Sequence, residues 1–305
     1  MVAVLTCIVL VGLVVLPFVA VWMSKATGSV VTLYPFVVSQ LGHSQFAGVL
    51  CTVGVLREAE SAIDAERTVV RAEREAFREF AATVQTLQVN RRHSTGATRI
   101  QHTKALSDTA QMRTVQDAYR TTVMAIPDYA DQYGETLREH MATELGHDTA
   151  AAVVDGQQFT RPLKHAVVVQ ASIAAQQREA FLDMLDDEEA SVRESAALLR
   201  EAGSALERFD ETELSQQSFA ELASYEQELR QDIARCVRLL ETRQCDIHRK
   251  NRAVSLTEQS LLQEYLYRDL DTTFPALAAT LGQLRRLHRR KRTVIRTISD
   301  PKLYT

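Results

Sequence analysis

Charge is almost missing from the front of this 305-residue chain. Of 35 basic and 39 acidic side chains, Lys25 alone falls in the first 56 residues. Water-facing domain surfaces are not built that way, and a bilayer suits such a stretch better. Glycine and proline are scarce further on: six glycines and four prolines punctuate residues 55–305. So few turn formers exclude a sheet-rich fold with many tight turns. The four cysteines contain no CxxC pair, so no zinc ribbon or redox motif is indicated. Cys236 and Cys245 stand nine residues apart, on opposite faces of a helix, and the cysteines read as small buried hydrophobes. P-loop, GxGxxG, GxSxG and kinase patterns are missing too, and no cofactor or catalytic residue is indicated.

What is present begins with an apolar front end. Val2 to Met23 carry no charge, and only Thr6, Gly12 and Pro17 interrupt the run. Its length matches the roughly 30 Å of a bilayer core. A cleaved signal peptide has a basic start and a shorter apolar core, so the run reads as a membrane anchor at 2–23. Ser29 to Leu56 is also uncharged but holds Gln40, His43, Ser44 and Gln45. Residues 30–56 could be a second span, with Gly42, Gly48 and Gly54 allowing close helix contact. They could equally form a buried or interfacial helix. An upstream error in the start codon is a third reading of the front end. The arginines just after Leu56 outnumber Lys25, which predicts a body on the cytoplasmic side of the cell membrane.

The body, 57–305, is rich in Leu, Ala, Glu, Arg and Gln, all good helix formers. Leu56, Ile63, Val70, Phe77 and Val84 recur every seven residues and predict a helix about 48 Å long. Residues 88–109 lose this period and read as a loop. Shorter helices are predicted around Met112–Val123, Tyr129–Leu145 and Ala150–Val154, with Gly146 as a terminator. Thr160 and Pro162 mark the start of a long helix. Its seam from Val167 to Leu206 is broken by Arg178 and Glu189. The spacing stutters at the acidic run Asp186–Glu189, which reads as a solvated bulge. Another seam after Ser215 has Glu226 and Arg243 as exceptions. A short helix near Leu261–Tyr267 and a last one opened by Pro275 complete the pattern. The expected fold is all-α: one or two transmembrane segments, then an elongated antiparallel helical bundle or coiled-coil body. A parallel dimer through the first helix is the alternative.

Two groups of polar residues could carry function. His140, Glu144 and His147 fall at i, i+4 and i+7, a spacing that can bind zinc or iron. Gly146 ends the helix before His147, so they read as ordinary surface residues and no metal is expected. The second group is the cation tract Arg285, Arg286, Arg289, Arg290, Lys291, Arg292 and Arg296. It reads as a solvated helix face or as a contact surface for anionic lipid headgroups or nucleic acid. Few aromatics lie nearby, so base stacking is poorly supported. The partners expected are a lipid bilayer and an unidentified protein; nucleic acid is the alternative.

AYRTTVMAIPDYADQYGETLREHMATELG (118–146) and LLQEYLYRDLDTTFPALAATL (261–281) resemble an uncharacterised haloarchaeal helical family, a domain of unknown function. EREAFREF at 73–80 and FTRPL at 159–163 fit it as well, and the likeness runs from about Leu56 to Ile298. The resemblance implies an archaeal source and a helical body, and brings no catalytic residues. Composition and resemblance together suggest a membrane-anchored interaction or scaffold protein rather than an enzyme.

Overall fold

Helix formers propagate until a glycine, a proline or a capping side chain stops them, and the boundaries of this fold follow that rule. The structure, a computed structural model, describes residues 48–89, 98–126, 135–156, 158–209, 211–253 and 260–299. Among the described residues every regular element is helical, so the chain is all-α. In order they are α1 (Gly48–Thr86), α2 (Thr98–Thr122) with a 3₁₀ turn at Val123–Ala125, α3 (Leu137–Leu145), α4 (His147–Val154) and α5 (Arg161–Glu207). Then come α6 (Glu211–Leu214), α7 (Phe219–Ala253), α8 (Ser260–Leu266) and α9 (Pro275–Ile298).

The stops are visible in the chain. Thr136 and Glu139 form a reciprocal capping box at the start of α3. Gly146, at φ +88°, takes a conformation that side chains with a Cβ avoid and separates α3 from α4. The Leu163 N–H donates to Thr160 Oγ1 at 3.3 Å, capping α5, and Ser218 with Glu221 repeats the capping box before α7. Pro275 opens α9.

Three expectations change. The loop placed at 88–109 is helical from Thr98 onward, because no breaker separates Gly96 from the amphipathic turns that nucleate α2. The helix expected from Tyr129 begins at Leu137, where the capping box fixes its start; residues 127–134 lie outside the described residues. The Asp186–Glu189 segment is no solvated bulge: α5 runs straight through it and Glu188 is fully buried. The anchor at 2–23 lies outside the described residues, as does all of 30–56 before Gly48. No described helix is long and apolar enough to cross a membrane.

The chain divides into two compact units, and α1 and α5 contribute to both. The first contains residues 67–185. Lys164 on α5 donates to the carbonyls of Gln85 and Leu87 at 2.7 and 2.6 Å, and Arg178 meets Glu73 near the middle of α1. The register makes α1 and α5 antiparallel there. Phe77, Phe80 and Tyr119 pack edge to face between them and α2, with the Phe80 and Tyr119 ring centres 5.0 Å apart.

The described part of the second unit comprises 48–66, 186–209, 211–253 and 260–299. Here α5 and α7 form an antiparallel pair. Arg243 meets Glu188, Arg235 meets Glu201 at 2.7 Å, and Tyr225 Oη donates to the Ala205 carbonyl at 2.8 Å. Helix α9 lies along both. Gln283 faces Gly203, Arg290 reaches the Phe209 carbonyl, and Lys291 sits 3.5 Å from Glu226. Helix α9 therefore runs parallel to α5 and antiparallel to α7, forming a helical bundle.

Candidate functional site

Helix α9 contains seven cations and no Asp or Glu. Its packing sorts them. Leu284, Leu287 and Val294 are buried and fix which way the helix faces. Arg286, Arg290 and Lys291 flank that face and are half-buried. Arg286 donates to Gln283 Oε1 at 3.0 Å, Arg290 holds the Phe209 carbonyl, and Lys291 pairs with Glu226. These three serve the fold.

Arg285, Arg289, Arg292 and Arg296 are exposed. Steps of four, three and four residues place them within an arc of about 60° on a helix. None of the four forms an ion pair among the described residues. The result is an uninterrupted file of guanidinium groups along three turns, on a helix whose one aromatic ring is the His288 imidazole and which has no Phe, Tyr or Trp on which a base could stack. Periodicity on its own did not divide the seven; the division needs the buried face of α9.

The His140, Glu144 and His147 triplet is taken apart. His140 and Glu144 are buried inside the first unit, which corrects their reading as surface residues; His147 is exposed beyond Gly146 on α4. His140 Nδ1 shares a 2.7 Å hydrogen bond with Tyr119 Oη. Glu144 accepts from Arg178 Nη2 at 2.7 Å, and Arg178 Nε also donates to Glu73 at 3.2 Å. The Arg178 guanidinium lies 4.7 Å from the Phe77 ring centre, a cation–π contact. Burial, aided by the charge of Arg178, lowers the His140 imidazole to about 3, so it is neutral near pH 7. Burial also raises the Glu73 carboxyl to about 6 against the pull of Arg178. Among the described residues no three His, Cys, Asp or Glu side chains converge as a metal site would require.

The second unit holds a similar buried cluster. Glu188 accepts from Arg243, from Tyr267 Oη at 2.9 Å and from Gln263 at 3.3 Å; Arg243 also donates to Ser191 Oγ at 2.8 Å. Of the cysteines, Cys236 is buried as expected and burial raises its thiol to about 11, whereas Cys245 is exposed. Cys7 and Cys51 lie outside the described side chains.

Each buried cluster is enclosed by helices of its own unit, and its charged groups are paired within it. The file of arginines on α9 is aimed at solvent as one face of a single sign, and it is the site best placed to meet a partner. No curated protein and no solved structure matches the chain. A family model matches residues 54–291, most of the chain, and on that match the chain belongs to the family described as domain of unknown function DUF7260.

Proposed function

We propose that this is a membrane-anchored, non-catalytic interaction protein whose helical body lies on the cytoplasmic side. In this reading the arginine file of α9 contacts anionic headgroups. The observation that carries it is that Arg285, Arg289, Arg292 and Arg296 form one exposed face with no acidic residue in the same helix. Each cation near an anionic leaflet contributes about 1 kcal/mol, so four aligned arginines supply a contact that depends on surface charge. The uncharged front end at 2–23 supports the anchor, and the arginines that follow Leu56 support the orientation. The heptad spacing of the α1 and α7 seams supports coiled-coil packing within the body.

Nucleic acid would meet the same cations. With no Phe, Tyr or Trp on α9 and His288 as its one aromatic ring, that contact would be made mainly to phosphates. The lipid reading also uses the front end, which a nucleic-acid reading leaves without a role.

The test is fractionation of the full chain. It should remain in the membrane pellet after carbonate and high-salt washing, because an apolar span resists both. Recovery in the soluble fraction would overturn the anchored reading.

A further inference from the structure

The arginine file runs toward the end of the second unit where α5 finishes, α7 begins and α9 closes. The register fixes this. Arg290 binds the Phe209 carbonyl just beyond α5, and Lys291 pairs with Glu226 near the start of α7. Seven residues before Glu226 on α7 is Phe219. Four residues after Lys291 on α9 is Ile295. Both intervals return to nearly the same side of a helix, so Phe219 and Ile295 stand over the seam marked by the Lys291–Glu226 pair, one to two turns further along.

Both side chains face water. Phe219 is 57% exposed and Ile295 is 43% exposed, two of the four large hydrophobics exposed among the described residues. Arg292 is three residues before Ile295 and Arg296 directly follows it, so guanidinium groups border the apolar pair. The nearest exposed acid on α7, Glu221, is two residues after Phe219 and therefore points about 160° away from it. The end of the bundle thus carries an aromatic and an aliphatic side chain with a cationic border; Glu221 is turned aside, and Glu207 and Glu213 are the other exposed acids described on α5 and α6 there.

We infer that this end of the second unit is an interfacial docking tip: Phe219 and Ile295 enter the headgroup region of an anionic bilayer while Arg292 and Arg296 hold its phosphates or carboxylates. Shallow apolar insertion flanked by cations is the chemistry of an anionic lipid surface. A phosphate backbone would use the arginines and leave both apolar side chains in water. The inference deepens the lipid reading above and rests on it for the choice of partner, but it makes a separate demand: two named side chains must leave water.

The test uses the full chain with the reporter moved to the tip. Trp22 is the single tryptophan, so W22F with F219W places the fluorophore there. The chain is mixed with vesicles of phosphatidylcholine alone or with added phosphatidylglycerol, each with and without brominated acyl chains. Docking predicts a blue shift and bromine quenching with the anionic vesicles and little of either with the neutral ones. Adding R292Q and R296Q should weaken the docked state by about 30-fold, since each arginine contributes about a factor of five. Phe219, Arg292 and Arg296 are exposed, and circular dichroism checks that the variants fold.

Flotation of the chain with neutral vesicles reports the anchor separately. A chain that floats with neutral vesicles but shows no quenching in anionic ones refutes the tip and leaves the anchor standing. Quenching in anionic vesicles without flotation in neutral ones keeps the tip and refutes the anchor. Equal quenching in both compositions removes the role of Arg292 and Arg296 and overturns the inference. Arginine-dependent binding to a single-stranded oligonucleotide, with no shift in emission on anionic vesicles, would replace lipid by nucleic acid as the partner.

Discussion

Arg178 shows how a single residue can hold a structure together at a cost. It is fully buried, and it spans Glu73 and Glu144 from two other helices. Replacing it with Met would leave both carboxyl groups without their cation in the interior. That loss should cost about 3–5 kcal/mol, read as a lower urea midpoint. E73Q should cost much less, because a carboxyl raised to about 6 is already close to accepting a neutral replacement. The same cluster sets a pH dependence whose two parts oppose each other. Glu73 holds its proton more tightly folded than unfolded, so its ionisation removes stability as pH rises through about 6. His140, lowered to about 3, holds its proton less tightly folded, so its contribution is present above its ordinary value of 6.5 and is lost as pH falls. From pH 7 to 5 the His140 loss is on the order of 2 kcal/mol and the Glu73 gain about 1 kcal/mol. Acidification should therefore destabilise E73Q more than the parent chain, and H140Q less. Superimposable pH profiles for all three chains would show that neither group titrates differently on folding. The sequence displayed Arg178 as a polar break in an apolar seam. Its partners were hidden, because Glu144 and Glu73 lie 34 and 105 residues away and no periodicity links them.

Helices were legible wherever a stop signal stood beside an apolar period. Pro162, Pro275 and Gly146 each mark a boundary the structure keeps. The start of α2 was not legible, since Thr98–Thr109 has helix formers but no apolar stripe to announce them. Glu188 was misread for a related reason: a buried carboxylate held by Arg243, Tyr267 and Gln263 has the same local sequence as a solvated one. At Gly156, the constraint is steric and local. A Cβ built there would lie 2.1 Å from the Ala152 carbonyl oxygen and 3.2 Å from the Met112 methyl. A backbone oxygen cannot step aside as a side-chain end can. Gly156→Ala should therefore displace the end of α4 and cost about 1–3 kcal/mol by chemical denaturation. An unchanged midpoint would mean that the α4 terminus adjusts freely.

Across the whole molecule, net charge misleads. The chain carries −4, yet α9 concentrates seven cations with no acid among them. What a partner meets depends on which of those cations the fold has already used. Arg290 is used, holding the Phe209 carbonyl, whereas Arg285, Arg289, Arg292 and Arg296 are exposed along one side. Stability and binding should therefore separate by mutation. Neutralising the four exposed arginines to Gln should leave the urea midpoint within about 0.5 kcal/mol of the parent, because exposed substitutions away from caps and ion pairs do little. R290Q should lower it by about 1–3 kcal/mol, since it strips a charged donor from a half-buried carbonyl. The gain in association on anionic over neutral vesicles should show the reverse order: lost in the fourfold variant and largely retained in R290Q. Salt discriminates further. A contact made by cations alone fades steeply between low and physiological ionic strength, as the screening length falls from about 30 Å at 0.01 M to about 8 Å. A contact that also buries Phe219 and Ile295 keeps a salt-resistant remainder. Removing both apolar side chains, as F219S with I295S, should abolish that remainder and leave the salt-sensitive part in place. If the two variants instead lose the same fraction at every salt concentration, the arginines and the apolar tip do not act as separable contributors.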